Sequence, residues 1–179
     1  RDGAKRQLAD EISTNLDSSE VAIVIHSFYP ELLPEILDPL QRIPDIGRPR
    51  IIITTPYEKA GACAQQTERY REDIRPLIIG VENRGRDILP FFTAFEYMVR
   101  AGYRIFCKLH TKQSLHREDG KAWRSRLFGS LLDPDRVPAI LERLSSSRTT
   151  GLVAPGNHLL PMSTYWGNNK YAVLSLAAR

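Results

Sequence analysis

The sequence predicts an α/β fold with a mostly parallel sheet and helices on both faces. Three runs of apolar residues predict strands, at Val21–Ile25, Ile51–Thr55 and Leu77–Val81, and the first two are typical of strands that are covered on both sides. Segments with apolar residues at helical spacing separate these runs. Because alternating strands and helices connect by right-handed crossovers, we expect the strands to run parallel.

Two further strands complete the predicted sheet. They lie at Tyr103–Leu109 and Gly151–Pro155, and the second would be a fifth strand. Helices are expected from Pro30 to Leu40 and from Pro56 to about Arg71. A further pair should lie on either side of Asp133, which with the following proline should start the second of that pair.

The helix after the third strand has a strong apolar period. Asp87 is expected to cap its first turn, and Gly102 is placed to end it. The face expected to pack on the sheet consists of Ile88, Phe91, Phe92, Phe95, Met98 and Val99.

Length and composition are those of one globular domain. The 179 residues are 42% hydrophobic and 26% charged, and no apolar run is long enough to span a bilayer. We assign residues 1–20 to an N-terminal helix and linker, and residues 21–179 to a single α/β domain. The sequence has no initiator Met and no apolar signal core, so we expect either an excised piece of a longer protein or a trimmed chain. We also expect the fold to be incomplete at its carboxyl end.

The charge is mildly positive. The net charge is +4 and the pI is near 9.2, but the arginines are spread along the chain and form no dense basic stripe. This distribution argues against nucleic acid and fits the phosphate of a small ligand or a lipid head group. Cys63 and Cys107 show no metal-type spacing and are interpreted as free thiols, which fits a reducing, cytoplasmic location.

Polar residues are dense where the third predicted strand meets the next helix. Gly85 permits a tight turn, while Arg84 and Arg86 can bind phosphate or carboxylate through paired donors. Asn83 and Asp87 would fix the turn or contact a ligand. Because ligands of parallel sheets bind beyond the carboxyl ends of the strands, this is a candidate site. An arginine–aspartate ion pair that only fixes the turn is an equally good interpretation.

A second polar cluster ends the fourth predicted strand. By alternation, Lys108, His110 and Lys112 point to one face and Leu109 to the other. Two cations and an imidazole together suit an anion such as a diphosphate. The alternative is a solvated strand end with exposed lysines.

Several other polar or aromatic residues have weaker signals. Trp123 is interpreted as part of the core, and His26 as a structural histidine for which ligand contact stays open. An acceptor groove or a packed terminal loop would account equally well for His158, Tyr165, Trp166 and Asn168. The sequence lacks a Ser-His-Asp order, a phosphate-binding Gly-Lys-Ser/Thr loop and a glycine-rich dinucleotide fingerprint.

Two blocks together resemble the rhamnan synthesis protein F family of bacterial cell-surface polysaccharide assembly. The first is Val81–Phe91, with its Asn-Arg-Gly-Arg-Asp turn, and the second is Cys107–Lys112, followed by Ser114, His116 and Arg117. The likeness extends roughly from Val21 to Asn168. It implies transfer of rhamnose or a similar sugar during O-antigen or capsule synthesis.

The layout is also similar to the GT-A fold of nucleotide-sugar transferases. That fold normally has an Asp-x-Asp pair at the end of its fourth strand, which holds a divalent metal on the diphosphate. Here Lys108, His110 and Lys112 stand in its place, and we predict that they replace the charge of the metal. We therefore assign no metal ligand and no certain cofactor. An inverting transferase also needs a carboxylate base, for which Glu118 and Asp119 are the nearby candidates.

The resemblance and the residues together predict a glycosyltransferase domain that binds a nucleotide-diphosphate sugar. Its acceptor would be lipid-linked or a polysaccharide, and it could contact the inner-membrane surface peripherally. The candidate catalytic residues are Asp87, His110 and Asp119. The candidate donor-binding residues are Asn83, Arg84, Gly85, Arg86, Lys108, Thr111, Lys112, His116 and Arg117. The alternatives are a non-catalytic module for carbohydrate or polyanions, and a module that docks on the membrane through its arginines.

Overall fold

The predicted parallel sheet is present, with helices on both faces. The structure, a computed structural model, describes residues 21–43, 49–70, 75–113, 120–156, 161, 166 and 169–178. The assignment of residues 1–20 to a helix and linker lies outside these ranges. Within them, four strands pair in the order β3-β2-β1-β4, and every pairing is parallel.

The strands and helices alternate along the chain. The strands are β1 (Val21–His26), β2 (Arg50–Pro56), β3 (Leu77–Val81) and β4 (Ile105–His110). The helices are α1 (Leu33–Leu40), α2 (Ala60–Thr67), α3 (Ile88–Arg100), α4 (Gly120–Leu132), α5 (Val137–Ser146) and α6 (Lys170–Ala177). Short 3-10 turns at Pro30–Leu32 and Tyr57–Lys59 precede α1 and α2.

Each face of the sheet has its own core. On one face, strand residues such as Ile23, Ile25 and Ile53 pack against α1, α2 and α4. On the other, Val24 and Ile52 pack against α3. Burying one such side chain contributes about 1.5–3 kcal/mol, so the central strands β1 and β2, apolar on both sides, anchor the fold.

Helix α3 turns a different face to the sheet than its apolar period predicted. The fully covered residues are Pro90, Ala94 and Met98, with Phe91 and Phe95 packed partly against the core. Three members of the expected buried face are about half exposed instead, namely Ile88, Phe92 and Val99. The prediction was wrong for these three because α3 carries two apolar stripes and the sheet can cover only one of them.

The predicted fifth strand at Gly151–Pro155 is also wrong. These residues form no strand, and Leu152 is 79% exposed. A run of apolar residues becomes a strand only where its backbone groups pair, and this segment lies beside the outer edge of β4 without joining it. A cavity of about 610 Å³ separates the two, lined mainly by apolar side chains of β4, α4 and α5.

The bounds of two predicted helices were also misjudged, and one helix was not predicted. Pro56 ends β2 rather than opening a helix, and the α-helix that follows covers only Ala60–Thr67. Helix α5 begins at Val137, because the Asp133 carboxylate accepts the Asp135 backbone N–H at 2.9 Å and holds a turn there. Helix α6 forms where no period was recognised.

Candidate functional site

The carboxyl edge of the sheet gathers polar side chains on the face that α3 covers. Strand order reverses between β1 and β4, and parallel sheets open a crevice at such a switch point. His26 of β1 and His110 of β4 are register partners there, and Thr54 of β2 is the register partner of His26 on its other side. One row across three strands therefore carries a hydroxyl and two imidazoles.

Asp87, the residue immediately before α3, places its side chain beside this row. It occupies the N-cap position as predicted, but its side chain makes no capping hydrogen bond. Instead its carboxylate accepts a hydrogen bond from Lys108 Nζ and lies 3.7 Å from His110 Nδ1. Both partners of the ion pair are about one quarter exposed, so the pair is partly buried at this edge of the sheet, a position we call the floor of the switch-point crevice.

The surroundings of Asp87 keep it ionised. Partial burial by itself raises the pKa of this carboxyl, but the hydrogen bond from Lys108 and the electrostatic interactions with His110 and Lys108 outweigh burial. The pKa of Asp87 therefore lies below its ordinary value. Its negative charge in turn balances Lys108, which lessens what that lysine offers to an anionic ligand.

The two histidines are kept neutral. Burial, opposed by the nearby Asp87 and reinforced by Lys108 and Lys112, holds the pKa of His110 below its ordinary value of 6.5. Burial also lowers the pKa of His26, whose Nδ1 lies 3.1 Å from Thr54 Oγ1. At neutral pH the row thus presents uncharged imidazoles, one of which, His110, is 38% exposed at the side chain.

The turn between β3 and α3 has an unusual backbone. Gly85 and Arg86 are consecutive residues with positive φ, at 71° and 53°. A Cβ on Gly85 would lie 2.3 Å from Leu89 Cβ, so only glycine fits. Arg86 is a non-glycine residue in the left-handed region, an arrangement that costs roughly 1–2 kcal/mol and concentrates at functional sites.

This backbone projects the two arginines outward. Arg84 is 70% exposed at the side chain and lies 3.7 Å from the Glu82 carboxylate, which is a weak surface contact. Arg86 is exposed, and no described carboxylate lies within ion-pair distance of it. Asn83 beside them is also exposed. These guanidinium groups therefore keep their charge for a ligand, unlike Lys108.

The loop after β4 is fixed by contacts from distant parts of the chain. Thr111 Oγ1 accepts the backbone N–H groups of Phe28 and Tyr29 at 3.0 and 2.9 Å, which ties the loops after β1 and β4 together. Arg124 of α4 makes a two-bond ion pair with Glu35 and donates to the Lys112 carbonyl at 3.2 Å. Thr111, predicted as a ligand-binding residue, is thus buried and engaged in holding the loops.

Lys112 lies apart from Lys108 and His110, with which it was grouped from the sequence. Its Nζ lies 5.7 Å from the centre of the Trp123 ring, on the first turns of α4. Trp123 is only partly buried, so its ring is not simply core. Four predicted site residues lie outside the described residues, namely His116, Arg117, Glu118 and Asp119, as do His158, Tyr165 and Asn168.

Sequence reasoning kept ligand contact open for His26 without pairing it with His110, and it missed the Arg124–Glu35 pair. The alternation of β1 places His26 on the same face as Val24, which could have paired it with His110 once the strand order was known. No local signal could have revealed the Arg124–Glu35 contact, because it joins residues 89 positions apart.

The described donor set does not suit a divalent metal. No group of three or more His, Cys, Asp or Glu with the geometry to hold a metal ion is found in the described ranges. Where the GT-A pattern has two aspartates, this chain has Lys108 and His110, and the nearby Asp87 is already bound to Lys108. The ammonium group of Lys108 repels a metal ion rather than ligating it.

The described helices also include none long and apolar enough to cross a bilayer.

These features define an α/β protein with a charged site at the switch point of a parallel sheet. The model of the family described as rhamnan synthesis protein F matches residues 4–171, and the chain belongs to that family. In two strains of Xanthomonas campestris pathovar campestris, a protein called WxcX is 39% identical over 172 residues. The match covers 96% of this chain and 24% of WxcX, so the chain spans about a quarter of its relatives' length. No solved structure matches the chain.

Proposed function

We propose that this chain is the donor-binding part of a glycosyltransferase of rhamnan or related polysaccharide synthesis. The family's name supports the pathway, and the switch-point site supports binding of a phosphorylated ligand. The observation that carries the proposal is the strained turn that exposes Arg84 and Arg86 at the mouth of the crevice. In this arrangement the arginines hold the diphosphate of a nucleotide-sugar through paired donors.

Binding and catalysis fall to different residues. Lys108 is bound to Asp87, so its part is to hold the carboxylate at the floor of the crevice. Neutral His110 lies with its Nδ1 3.7 Å from Asp87 and its side chain 38% exposed, so we assign its Nε2 to accept the proton. A developing imidazolium would be stabilised by Asp87, in the way that carboxylates support catalytic histidines.

These groups account for every bond, proton and electron pair in the transfer step. The oxygen of an acceptor hydroxyl bonds to the anomeric carbon of the sugar while the bond from that carbon to the diphosphate oxygen breaks. The hydroxyl proton passes to His110, and the nucleoside diphosphate leaves with the bonding electron pair. Arg84 and Arg86 stabilise the negative charge of the leaving diphosphate. A nucleotide-sugar transferase of GT-A type without a bound metal would need such cations.

A non-catalytic binding module is the second candidate. The ion pair of Asp87 with Lys108 favours it, because a carboxylate already engaged is a poor base. In that case the same exposed arginines would hold an acidic polysaccharide rather than a diphosphate.

Thermal denaturation with a panel of ligands separates the candidates. The transferase proposal predicts that dTDP-rhamnose or GDP-rhamnose raises the Tm, while neutral oligosaccharides alone do not. His110→Gln should keep this shift and lose release of nucleoside diphosphate. A shift with acidic oligosaccharide only, or unchanged release from the His110→Gln variant, would contradict the transferase proposal.

A further inference from the structure

The outer face of α3 carries a narrow apolar ridge. Ile88, Phe92 and Val99 are 52%, 55% and 47% exposed, and Leu89 is 41% exposed beside them. With 3.6 residues per turn, Ile88, Phe92 and Val99 lie within about 40° of one another around the helix. They therefore form a single stripe, which we call the α3 ridge, and Leu89 borders it.

The ridge is held in place from beneath. The Phe92 ring lies edge-on to Phe91 and Phe95, with ring centres 5.4 and 6.0 Å away, and Phe95 packs on Phe106 of β4. The exposed aromatic ring thus rests on a cluster that reaches the core. A rigid, half-exposed phenylalanine costs free energy in water unless a partner covers it.

Cations flank the ridge at both ends. Arg84 and Arg86 precede it, and Arg100 follows it at 72% side-chain exposure. The facing acidic groups are Glu82 and Glu96, which lie 3.7 Å from Arg84 and 2.6 Å from Arg100. Asp87, also at the first end, is bound to Lys108. Three arginines therefore face two glutamates around the ridge, which leaves one net positive charge there, and the whole chain has a net charge of +4.

The exposed apolar area of the ridge distinguishes a protein partner from a lipid surface. Four side chains that are about half exposed offer roughly 300–400 Å², whereas a stable protein interface needs about 800 Å² on each side. A second copy of the chain would therefore gain too little from this surface alone. A membrane interface needs only a few inserted apolar side chains with cations at the level of the head groups.

We propose that the α3 ridge docks this chain on an anionic lipid surface, with α3 lying in the plane of the interface. Phe92 and Val99 enter the acyl boundary, and the flanking arginines lie near the level of the head groups, whose negative charge attracts the chain without direct bonds to Arg84 or Arg86. The site mouth at Asn83–Asp87 immediately precedes the ridge in the chain, so docking brings the crevice close to the lipid surface. This inference stands apart from the proposed function, because it requires no nucleotide.

Co-sedimentation of the 179-residue chain with vesicles tests it. Vesicles of phosphatidylcholine with phosphatidylglycerol should bind the chain, and those of phosphatidylcholine alone should bind it far less. The Phe92→Ser/Val99→Ser variant should partition at least about tenfold more weakly, in line with the loss of two inserted side chains. The matched control is Leu174→Ser/Leu176→Ser, which removes two exposed leucines of α6 and should change nothing.

Three results would overturn the proposal. These are no sedimentation of the wild-type chain, equal partitioning of both double variants, or a dimer in velocity sedimentation that Phe92→Ser/Val99→Ser dissociates. Circular dichroism melting of each variant shows whether it is folded. Should Phe92→Ser/Val99→Ser prove unfolded, Phe92→Gln alone must weaken partitioning at unchanged Tm, and unchanged partitioning would reject the inference. Titration of the folded variant with dTDP-rhamnose reports separately on the proposed function.

Discussion

Two groups of cations lie at the carboxyl edge of the sheet, and they differ in how far they are neutralised. Lys108 is three-quarters buried and bound to Asp87, whereas Arg84 and Arg86 are exposed on a strained turn. The comparison indicates two roles for the same charge. Lys108 holds the floor of the crevice together, and the arginines are kept for a ligand.

The largest effect is expected where the turn is built. Gly85→Ala should lower the free energy of unfolding by about 2 kcal/mol or more, because the added Cβ meets Leu89 at 2.3 Å and the backbone is left-handed. The matched control is Gly61→Ala in α2, where nothing lies within 4 Å and helix propensity should add about 0.5–1 kcal/mol. Urea unfolding measures both, and equal effects would refute the description of the turn.

Removing the buried cation should cost nearly as much. Lys108→Met leaves the Asp87 carboxylate part-buried without its hydrogen-bonded partner, which should destabilise the chain by about 1–3 kcal/mol. Lys108→Met combined with Asp87→Leu should recover much of the loss, because no unpaired charge remains. Additive effects in this double-mutant cycle would show that the ion pair does not hold the floor.

The exposed arginine should behave in the opposite way. Arg86→Gly suits the left-handed backbone, so the free energy of unfolding should stay within about 0.5 kcal/mol of the wild type or rise. The same variant should bind dTDP-rhamnose at least about tenfold more weakly, a loss of about 1.4 kcal/mol. Urea unfolding and calorimetry separate the two quantities. A destabilised Arg86→Gly that still binds would reverse the assigned roles.

The neutral histidines predict a smaller effect of pH. Because folding lowers the pKa of His26, the unfolded chain binds more protons than the folded one below about pH 6.5. Stability should therefore be full above that pH and fall as the pH drops towards the folded pKa. His26→Gln should make the free energy of unfolding less dependent on pH between about 7 and 5. An unchanged slope would show that His26 is not a buried neutral histidine.

The sequence was informative where one pattern had one structural solution. Val21–Ile25 and Leu77–Val81 were predicted as strands, and both are strands. Helix α3 had two apolar stripes, so its period predicted the helix but not the face that packs. Gly151–Pro155 looked like a strand, but strand formation depends on a partner, and that information is not local.

In the candidate site, too, the features that depend on local sequence were predicted and those that depend on distant contacts were not. The turn at Asn83–Asp87 and the end of β4 were identified from residue type and from the rule for parallel sheets. The ion pair of Asp87 with Lys108 was not predicted, since it depends on α3 crossing back over the sheet to β4. Neither was the tie from Thr111 to the Phe28 and Tyr29 backbone, which spans more than 80 positions.

Calorimetric titration with dTDP-rhamnose, in buffer containing EDTA, tests the central claim most directly. The wild-type chain and Arg100→Ala should bind alike, since Arg100 lies at the far end of α3, about 20 Å along the helix from Arg86. Arg86→Ala should bind at least about tenfold more weakly. Binding that appears only with Mg²⁺ or Mn²⁺, or equal binding by Arg86→Ala and Arg100→Ala, would contradict the claim that the arginines of the turn hold the diphosphate.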